Sequence, residues 1–411
     1  MCGIVGYFGN SDAVETLLDG LSRLEYRGYD SAGVAVPCGD GICIVRAVGR
    51  LENLKNALAA KTFKANMGIG HTRWATHGRP SEVNAHPHRS GSIVLVHNGI
   101  VENYRELKTA LEDSGCIFSS DTDTEVLAHL IATFYHGDLL SAVREGVSKV
   151  KGSYAIAVID ADKRDRIVVA RRDNPLVIGV DDKKGEYIAA SDIPAALNIT
   201  RDFIMLGEGE FAELSKSGVA VFNPLGEAIA RKVVHIDWDA AMAEKDGYPD
   251  FMLKEINEQP RTLMDTLRGK IIPDEGIIYL GELDALEGKI GEVERIIIVA
   301  CGTSLHSGMI GKLYIEKFAQ IPVEVDIASE FLQRTLPLSD KILVVCVSQS
   351  GETADTKQAL RRARDRGART AAICNVVGSA IASEADYCIY THAGPEISVA
   401  STKAFTSQTI V

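Results

Sequence analysis

Met1-Cys2-Gly3-Ile4-Val5-Gly6-Tyr7-Phe8 opens the chain, and the reading of this stretch decides the fold of everything up to about residue 235. Gly3–Phe8 is an apolar run of strand length, bounded by the turn residues Gly9-Asn10. Cys2 follows the initiator directly, so removal of Met1 would leave it with a free α-amine. Such an amine titrates at roughly 7.7–8.0, near working pH. It can take the proton of its own thiol, directly or through water, with no histidine partner. Taken alone, Met-Cys reads sooner as a small residue opening a strand than as a nucleophile.

Four further runs bear on Cys2. Arg27-Gly28-Tyr29-Asp30-Ser31-Ala32-Gly33 leads from a helix into a strand, and His71-Thr72-Arg73-Trp74-Ala75-Thr76-His77-Gly78 is too polar and aromatic for an ordinary loop. Asn98-Gly99 follows the strand Ile93–His97, and Asp121-Thr122-Asp123-Thr124-Glu125 opens a helix. In this order behind Cys-Gly-Ile-Val-Gly, the runs resemble the glutamine amidotransferases with an N-terminal nucleophile, over residues 2–235. The resemblance implies a four-layer αββα sandwich of α+β class. It implies Cys2 as nucleophile, with Asn98 and Gly99 stabilising the oxyanion. L-Glutamine would be held by Arg73 at its carboxylate and Asp123 at its ammonium, with Thr76 and His77 lining the pocket and Trp74 gating it. No cofactor and no metal are implied.

Each run also has a plainer reading. Asn98-Gly99 between apolar stretches is a hairpin signal. Thr122 and Glu125 form a capping box, in which Asp123 simply favours a helix N-terminus. Arg73 reads equally as a surface arginine. His71, His77, His86, His88 and His97 raise the question of a metal, and His86-Pro87-His88 would put two rings on one strand face. No thiolate or carboxylate cluster accompanies them in the sequence.

Bulk properties narrow the class. The 411 residues are 46% apolar and 24% charged, as in ordinary globular chains of two or three domains. The net charge of −12 argues against nucleic acid and against an anionic membrane as the main partner. No run approaches the roughly 18 apolar residues of a membrane span, and no secretory signal is read at the N-terminus. The eight cysteines lack any CxxC pair, and Cys38 and Cys43 are the only close pair. That usage reads as reduced thiols in a cytoplasmic protein.

The composition shifts at residues 236–250, a polar stretch ending in turn residues that reads as a linker. An amphipathic helix is expected over Asp250–Arg268. Beyond it, Arg295–Ala300, Lys341–Val347, Thr370–Val376 and Tyr387–Thr391 read as strands of a buried parallel sheet alternating with helices. The turns Cys301-Gly302-Thr303-Ser304 and Ser348-Gln349-Ser350-Gly351-Glu352-Thr353 follow the first two strands and each precedes a helix. Backbone N–H groups and hydroxyls gathered at a helix N-terminus suit a phosphate, although one such turn alone is more often an N-cap.

This half, residues 251–411, resembles the first subdomain of a sugar isomerase (SIS) domain, of three-layer α/β type. By that resemblance Thr303, Ser304, Ser348, Gln349, Ser350 and Thr353 would hold a hexose phosphate, with Val399 and Ser401 as further contacts. Lys403 is given no imine-forming role. An amidotransferase domain joined to a sugar isomerase domain resembles the glutamine–fructose-6-phosphate aminotransferase family. The expected reaction takes glutamine and fructose 6-phosphate to glutamate and glucosamine 6-phosphate, in a homodimer. The family's second isomerase subdomain is not within these 411 residues, and a helix is expected to begin near Ser398. The expectation is therefore retained glutamine hydrolysis and sugar-phosphate binding. A purine-pathway amidotransferase would need paired acidic residues after a strand for a phosphoribosyl pyrophosphate, and none is found. The alternative from another class is a non-catalytic sugar-phosphate-binding regulator.

Overall fold

The computed structural model describes residues 2–25, 30–59, 63–74, 79–237, 245–268, 270–272, 277–278, 280, 283, 286 and 290–411. The chain divides into two compact units, residues 1–240 and 241–411. Thr76 and His77, and part of the run from Arg27, lie outside the described residues.

The first unit runs β1 (Gly3–Phe8), α1 (Ala13–Ser22), β2 (Ser31–Cys38), β3 (Gly41–Val48), α2 (Leu51–Ala59), β4 (Met67–Arg73), β5 (His88–Ser90) and β6 (Ile93–Val101). It continues through α3 (Tyr104–Asp113), α4 (Asp123–Thr133), α5 (Leu139–Ser148), β7 (Gly152–Asp160), β8 (Arg166–Arg172), β9 (Val177–Asp181) and β10 (Glu186–Ala190). It closes with β11 (Asp202–Met205), β12 (Phe211–Ser215), β13 (Gly218–Phe222), β14 (Ala228–Ile229) and β15 (Val233–His235). Two sheets result, one ordered β15-β11-β9-β10-β1-β4-β2-β3 and the other β14-β13-β12-β8-β7-β6-β5.

Strand periodicity explains the layers. In β6, Val94 and Val96 face the opposite sheet, while Ile93 and Leu95 face α4 and α5. β7 divides in the same way, with Ala155, Ala157 and Ile159 inward and Tyr154, Ile156 and Val158 toward the helices. Sheets with two apolar faces must be covered on both sides, and α1 lies against β1 and β4 on the far face of the other sheet. The unit is the αββα sandwich. Helix starts follow local chemistry: Asp12 accepts from the N–H groups of Val14 and Glu15 at 2.8 and 3.1 Å. Such caps contribute about 1 kcal/mol each.

One expectation and one of the plainer readings are set aside here. Cys38 and Cys43 form a disulfide across the β2–β3 hairpin, with Cα atoms 5.6 Å apart, so these two are not reduced thiols. The antiparallel pairing brings Val36 opposite Cys43 and Cys38 opposite Gly41, which places the two side chains within reach. Asn98-Gly99 is not a hairpin turn. β6 continues through it to Val101, paired with β7 in the register Asn98↔Ala155 and Gly99↔Tyr154.

The second unit begins with α6 (Phe251–Leu267), capped by Asp250, whose side chain accepts from Leu253 N–H at 2.8 Å. After the short strands β16 (Ile271–Ile272) and β17 (Ile277–Ile278) come β18 (Arg295–Ala300), α7 (Gly302–Phe318), β19 (Val323–Ile327), α8 (Ala328–Gln333) and β20 (Ile342–Ser348). The rest is α9 (Ala354–Asp365), β21 (Arg369–Cys374), α10 (Ala380–Glu384), β22 (Tyr387–Tyr390) and α11 (Lys403–Ile410). The parallel sheet has five strands, ordered β19-β18-β20-β21-β22, where four had been expected. The additional strand, β19, is an edge. Its Glu324 and Asp326 pair with Arg295 and Arg334, so it lacks the continuous apolar run that marks the buried strands. One face of the sheet packs on α9 and the other on α7, giving three layers.

The final helix begins at Lys403, not near Ser398. The preceding segment wraps around Glu396, whose carboxylate accepts from Thr402 N–H and Ala404 N–H at 2.8 and 3.1 Å and from Ser401 Oγ at 2.8 Å. A carboxylate on these otherwise unpaired N–H groups fixes the helix start at this point.

Candidate functional site

At one end of the sandwich the interior changes from apolar to polar without leaving the strands. In β4, Met67 and Ile69 belong to the core between the sheets. Two and four residues on, His71 and Arg73 share their parity. In β6, Asn98 follows Val94 and Val96 in the same way, and Cys2 precedes Ile4 by one period at the start of β1. Register fixes the rest: Gly3 pairs with Thr72, which puts Cys2 beside the end of β4.

The result is a cavity of about 280 Å³ lined by Cys2, Arg73, Trp74, Asn98, Gly99 and Asp123 among others. This is toward the small end of ligand pockets. Trp74 N–H donates to Cys2 Sγ at 3.2 Å, and the Asn98 side-chain amide donates to the Cys2 carbonyl at 3.0 Å. Burial pushes the Cys2 thiol above its ordinary range, opposed by the Trp74 N–H and the Arg73 charge. The thiol is therefore protonated at neutral pH. Gly99 has φ +136°, and a Cβ there would lie 2.1 Å from Ser153 O, so only glycine fits. Arg73 is 4% exposed and the Trp74 ring 47%.

Asp123 is not merely a first-turn acid. Its carboxylate accepts Val101 N–H at 2.9 Å, tying α4 to the end of β6. Thr122 does cap α4, accepting Glu125 N–H at 3.3 Å. Glu125 turns back to the N–H groups of Ser119 and Ser120 rather than to Thr122.

Four buried histidines gather at the cavity, and two of them, His86 and His97, line it. His71 and His86 have ring centroids 4.1 Å apart, and His86 and His88 5.0 Å. His97 Nδ1 lies 3.0 Å from Thr124 Oγ1, and His88 Nε2 lies 3.0 Å from Thr122 Oγ1. Burial lowers all four, His71 and His88 to about 3. They are neutral rings, and among the described residues no three of His, Cys, Asp or Glu converge as metal ligands. Ser191, just after β10, accepts from Ile4 N–H at 2.8 Å and from Asn98 Nδ2 at 2.9 Å. Neither His71 nor Ser191 had been given a place at this site. The parity of His71 with Arg73 was a signal for the first, whereas nothing in the sequence marked the second.

In the second unit, strand order brings the two hydroxyl-rich turns together. β18 is flanked by β19 on one side and β20 on the other, so the chain reverses its direction of sheet growth between β18 and β20. Ligands of such sheets bind at the carboxyl ends of the strands flanking that switch. Thr303 and Ser304 lie in the first turn of α7 and Ser348–Thr353 join β20 to α9. Ser348 Oγ accepts Gly351 N–H at 3.0 Å and lies 3.1 Å from Thr353 Oγ1, and Ser350 Oγ accepts Glu352 N–H at 3.2 Å. Gln349 accepts Asn375 N–H through its carbonyl at 3.2 Å. Val399 is 93% exposed and Ser401 is engaged by Glu396, so neither is drawn into a pocket. Lys403 is buried and paired with Glu258 at 2.6 Å. Among the described residues no helix is long and apolar enough to cross a membrane.

Residues 71–198 match the glutamine amidotransferase domain family and residues 289–411 the SIS domain family. The whole chain is 52% identical to a glutamine–fructose-6-phosphate aminotransferase (isomerizing) of Symbiobacterium thermophilum, spanning 67% of that protein. It is 50% identical to the protein of the same name from Aquifex aeolicus over 99% of this chain and 67% of the relative. Among solved structures, the C-terminal domain of the glucosamine-fructose-6-phosphate aminotransferase of Francisella tularensis is 44% identical over 41% of this chain and 47% of that one, with a TM-score of 0.38.

Proposed function

The chain belongs to the glutamine–fructose-6-phosphate aminotransferase (isomerizing) family, and on that premise we propose that residues 2–235 hydrolyse L-glutamine at Cys2. We further propose that residues 251–411, joined to them by the linker 236–250, bind fructose 6-phosphate. The observation that carries the reading is one cavity that holds the Cys2 thiol, the Asn98 amide, Gly99, Arg73 and Asp123.

Chemistry follows from this set. Arg73 pairs with the substrate α-carboxylate and Asp123 with its ammonium, so the side-chain amide is held over Sγ. Thr76, His77 and the Trp74 ring belong to the same proposed pocket. The thiol is pushed up by burial, and after loss of Met1 the Cys2 α-amine is the adjacent base that takes its proton. Sulfur attacks the amide carbon, and the tetrahedral oxyanion is met by Asn98 Nδ2–H and Gly99 N–H. The C–N bond breaks, the amine returns the proton, and ammonia leaves. A thioester between Cys2 and the γ-glutamyl group remains. Water, deprotonated by the same amine, hydrolyses it to glutamate and free thiol.

In the family's reaction the ammonia nitrogen passes to fructose 6-phosphate and the product is glucosamine 6-phosphate. We place the phosphate of that sugar at Ser348, Gln349, Ser350 and Thr353, with Thr303 and Ser304 across the β18–β20 switch. The N-terminus of α9 favours an anion there. Val399 and Ser401 are further proposed sugar contacts.

The test is glutamate release from glutamine, with and without fructose 6-phosphate, on protein whose N-terminus has been verified by mass spectrometry. Release that Cys2→Ala abolishes supports the reading. No release from correctly processed protein refutes it and favours a sugar-phosphate-binding regulator. Glucosamine 6-phosphate formation, measured alongside, reports whether these 411 residues perform the full reaction.

A further inference from the structure

A primary carboxamide has two orientations of nearly equal shape, and only one of them presents N–H groups to an oxyanion. What surrounds Asn98 therefore matters as much as its position. His71 is fully buried, Ser191 is 1% exposed and Asn98 5%, so solvent does not set the choice.

His71 Nε2 lies 2.9 Å from Asn98 Oδ1 and 3.1 Å from the His97 carbonyl. Both neighbours are acceptors when Oδ1 faces the ring, so Nε2 must carry the hydrogen and donate. On the other side, Asn98 Nδ2 lies 3.0 Å from the Cys2 carbonyl, which can only accept, and 2.9 Å from Ser191 Oγ. Ser191 is itself fixed, because it accepts Ile4 N–H through Oγ and donates its backbone N–H to Ile4 O at 3.0 Å. Rotating the carboxamide by half a turn would set Oδ1 against the Cys2 carbonyl and the amide hydrogens against the His71 N–H. Two buried hydrogen bonds would become two repulsions.

We propose that His71 and Ser191 are positioning residues that lock the Asn98 carboxamide with Nδ2 toward Cys2, ready to meet the oxyanion. This rests on the reading of Asn98 under Proposed function. His71 serves as a permanently neutral donor. Burial keeps its ring uncharged, and the Nε2 hydrogen that holds Asn98 Oδ1 is present whether or not Nδ1 is protonated. The hydrogen of Asn98 shared with the Cys2 carbonyl is the one adjacent to the reacting thiol.

The experiment measures kcat and KM for glutamine hydrolysis in the full chain, together with the rate of Cys2 alkylation by iodoacetamide, a reaction with no oxyanion. Losing one oxyanion donor typically lowers kcat by about 10²–10³-fold. A freely flipping amide should lose part of that, about ten- to a hundredfold in His71→Leu, with KM and alkylation rate within about twofold. His71→Gln, which places an N–H near the former Nε2, should recover most of the loss. Combined with Asn98→Ala, His71→Leu should add little further loss, since a lock has no function without the group it holds. Should His71→Leu fail to fold, Ser191→Ala and His71→Gln carry the test, with a kcat loss for the first and near-normal kcat for the second. Folded His71→Leu or Ser191→Ala at the wild-type kcat, or losses that multiply in the double variant, overturn the proposal. If Asn98→Ala is strongly impaired while the His71 and Ser191 variants are not, the positioning inference alone is wrong. If Asn98→Ala itself turns over normally, the oxyanion reading falls and takes this one with it.

Discussion

The carboxylate of Asp123 accepts the backbone N–H of Val101 at 2.9 Å, so the proposed binder of the substrate ammonium is also the clamp between α4 and β6. The two functions separate by substitution. Asp123→Asn keeps an oxygen for Val101 and removes the charge, whereas Asp123→Ala removes both. Hydrogen bonds to charged groups are worth about 1.5–3 kcal/mol. The Asn variant should therefore raise KM for glutamine by about ten- to a hundredfold with little change in melting temperature. The Ala variant should raise KM similarly and also lower the melting temperature. Unchanged KM in both would remove Asp123 from the substrate site.

Gly99→Ala should inactivate by displacement rather than by loss of a group. Its Cβ would lie 2.1 Å from Ser153 O at a φ of +136°. Moving β6 off β7 to relieve that contact shifts Asn98 as well. A loss of about 2–4 kcal/mol is expected for such backbone strain, read as a lower urea midpoint, with turnover reduced at least as far as in Asn98→Ala. Wild-type stability would show that β6 tolerates a side chain there.

The buried histidines make the first unit acid-sensitive. The four rings have folded values below the ordinary 6.5, His71 and His88 at about 3. Between those values the unfolded chain binds more protons than the folded one, so stability falls as pH drops below 6.5. At pH 5.5 the loss is about 3 kcal/mol from His71 and His88 together, and His86 and His97 add to it in the same direction. That is a large share of an ordinary domain's stability of about 5–15 kcal/mol. Thermal melts of the amidotransferase unit should fall steeply between pH 6.5 and 5.5. A flat profile over that range would mean that the rings are protonated in the folded state.

The Ser348–Thr353 loop can be tested without touching a hydroxyl. A Cβ at Gly351, where φ is +67°, would lie 1.9 Å from the Ser379 side-chain oxygen. Gly351→Ala should weaken fructose 6-phosphate binding by at least about tenfold, as measured by calorimetry. The pair Gly351→Ala with Ser379→Gly should recover part of it. Glutamine hydrolysis in the absence of sugar should be unaffected in both. Full affinity in the single variant would place the phosphate elsewhere.

Much of this protein could be read before its structure. Cys2 behind an initiator, with four polar runs in fixed order, pointed to the αββα amidotransferase fold, and the continuous apolar strands pointed to a parallel sheet. These signals are local, since a strand with two buried faces or a helix with one apolar stripe shows its period within a dozen residues. Edge strand β19 was missed because its outward Glu324 and Asp326 break the apolar run. The end of β6 invited a hairpin reading because Asn-Gly has the same local chemistry in a turn and in a distorted strand. The helix expected near Ser398 starts only at Lys403, where the Glu396 carboxylate accepts the N–H groups of Thr402 and Ala404 and so fixes its first turn.

The amino-acid sequence by itself determined the two fold classes and offered Cys2 as the nucleophile proposed above. Tertiary structure alone decided which way the groups of the site face. Cys2, His71, Asn98 and Ser191 lie on four strands or strand ends, up to 189 positions apart in the chain numbering, and only sheet register and inward parity bring them into one layer. The physical reason is that hydrogen-bond donors and acceptors are interchangeable in sequence but not in space: Asn98 has one usable orientation because a ring nitrogen, a hydroxyl and a carbonyl from three other strands leave it no other.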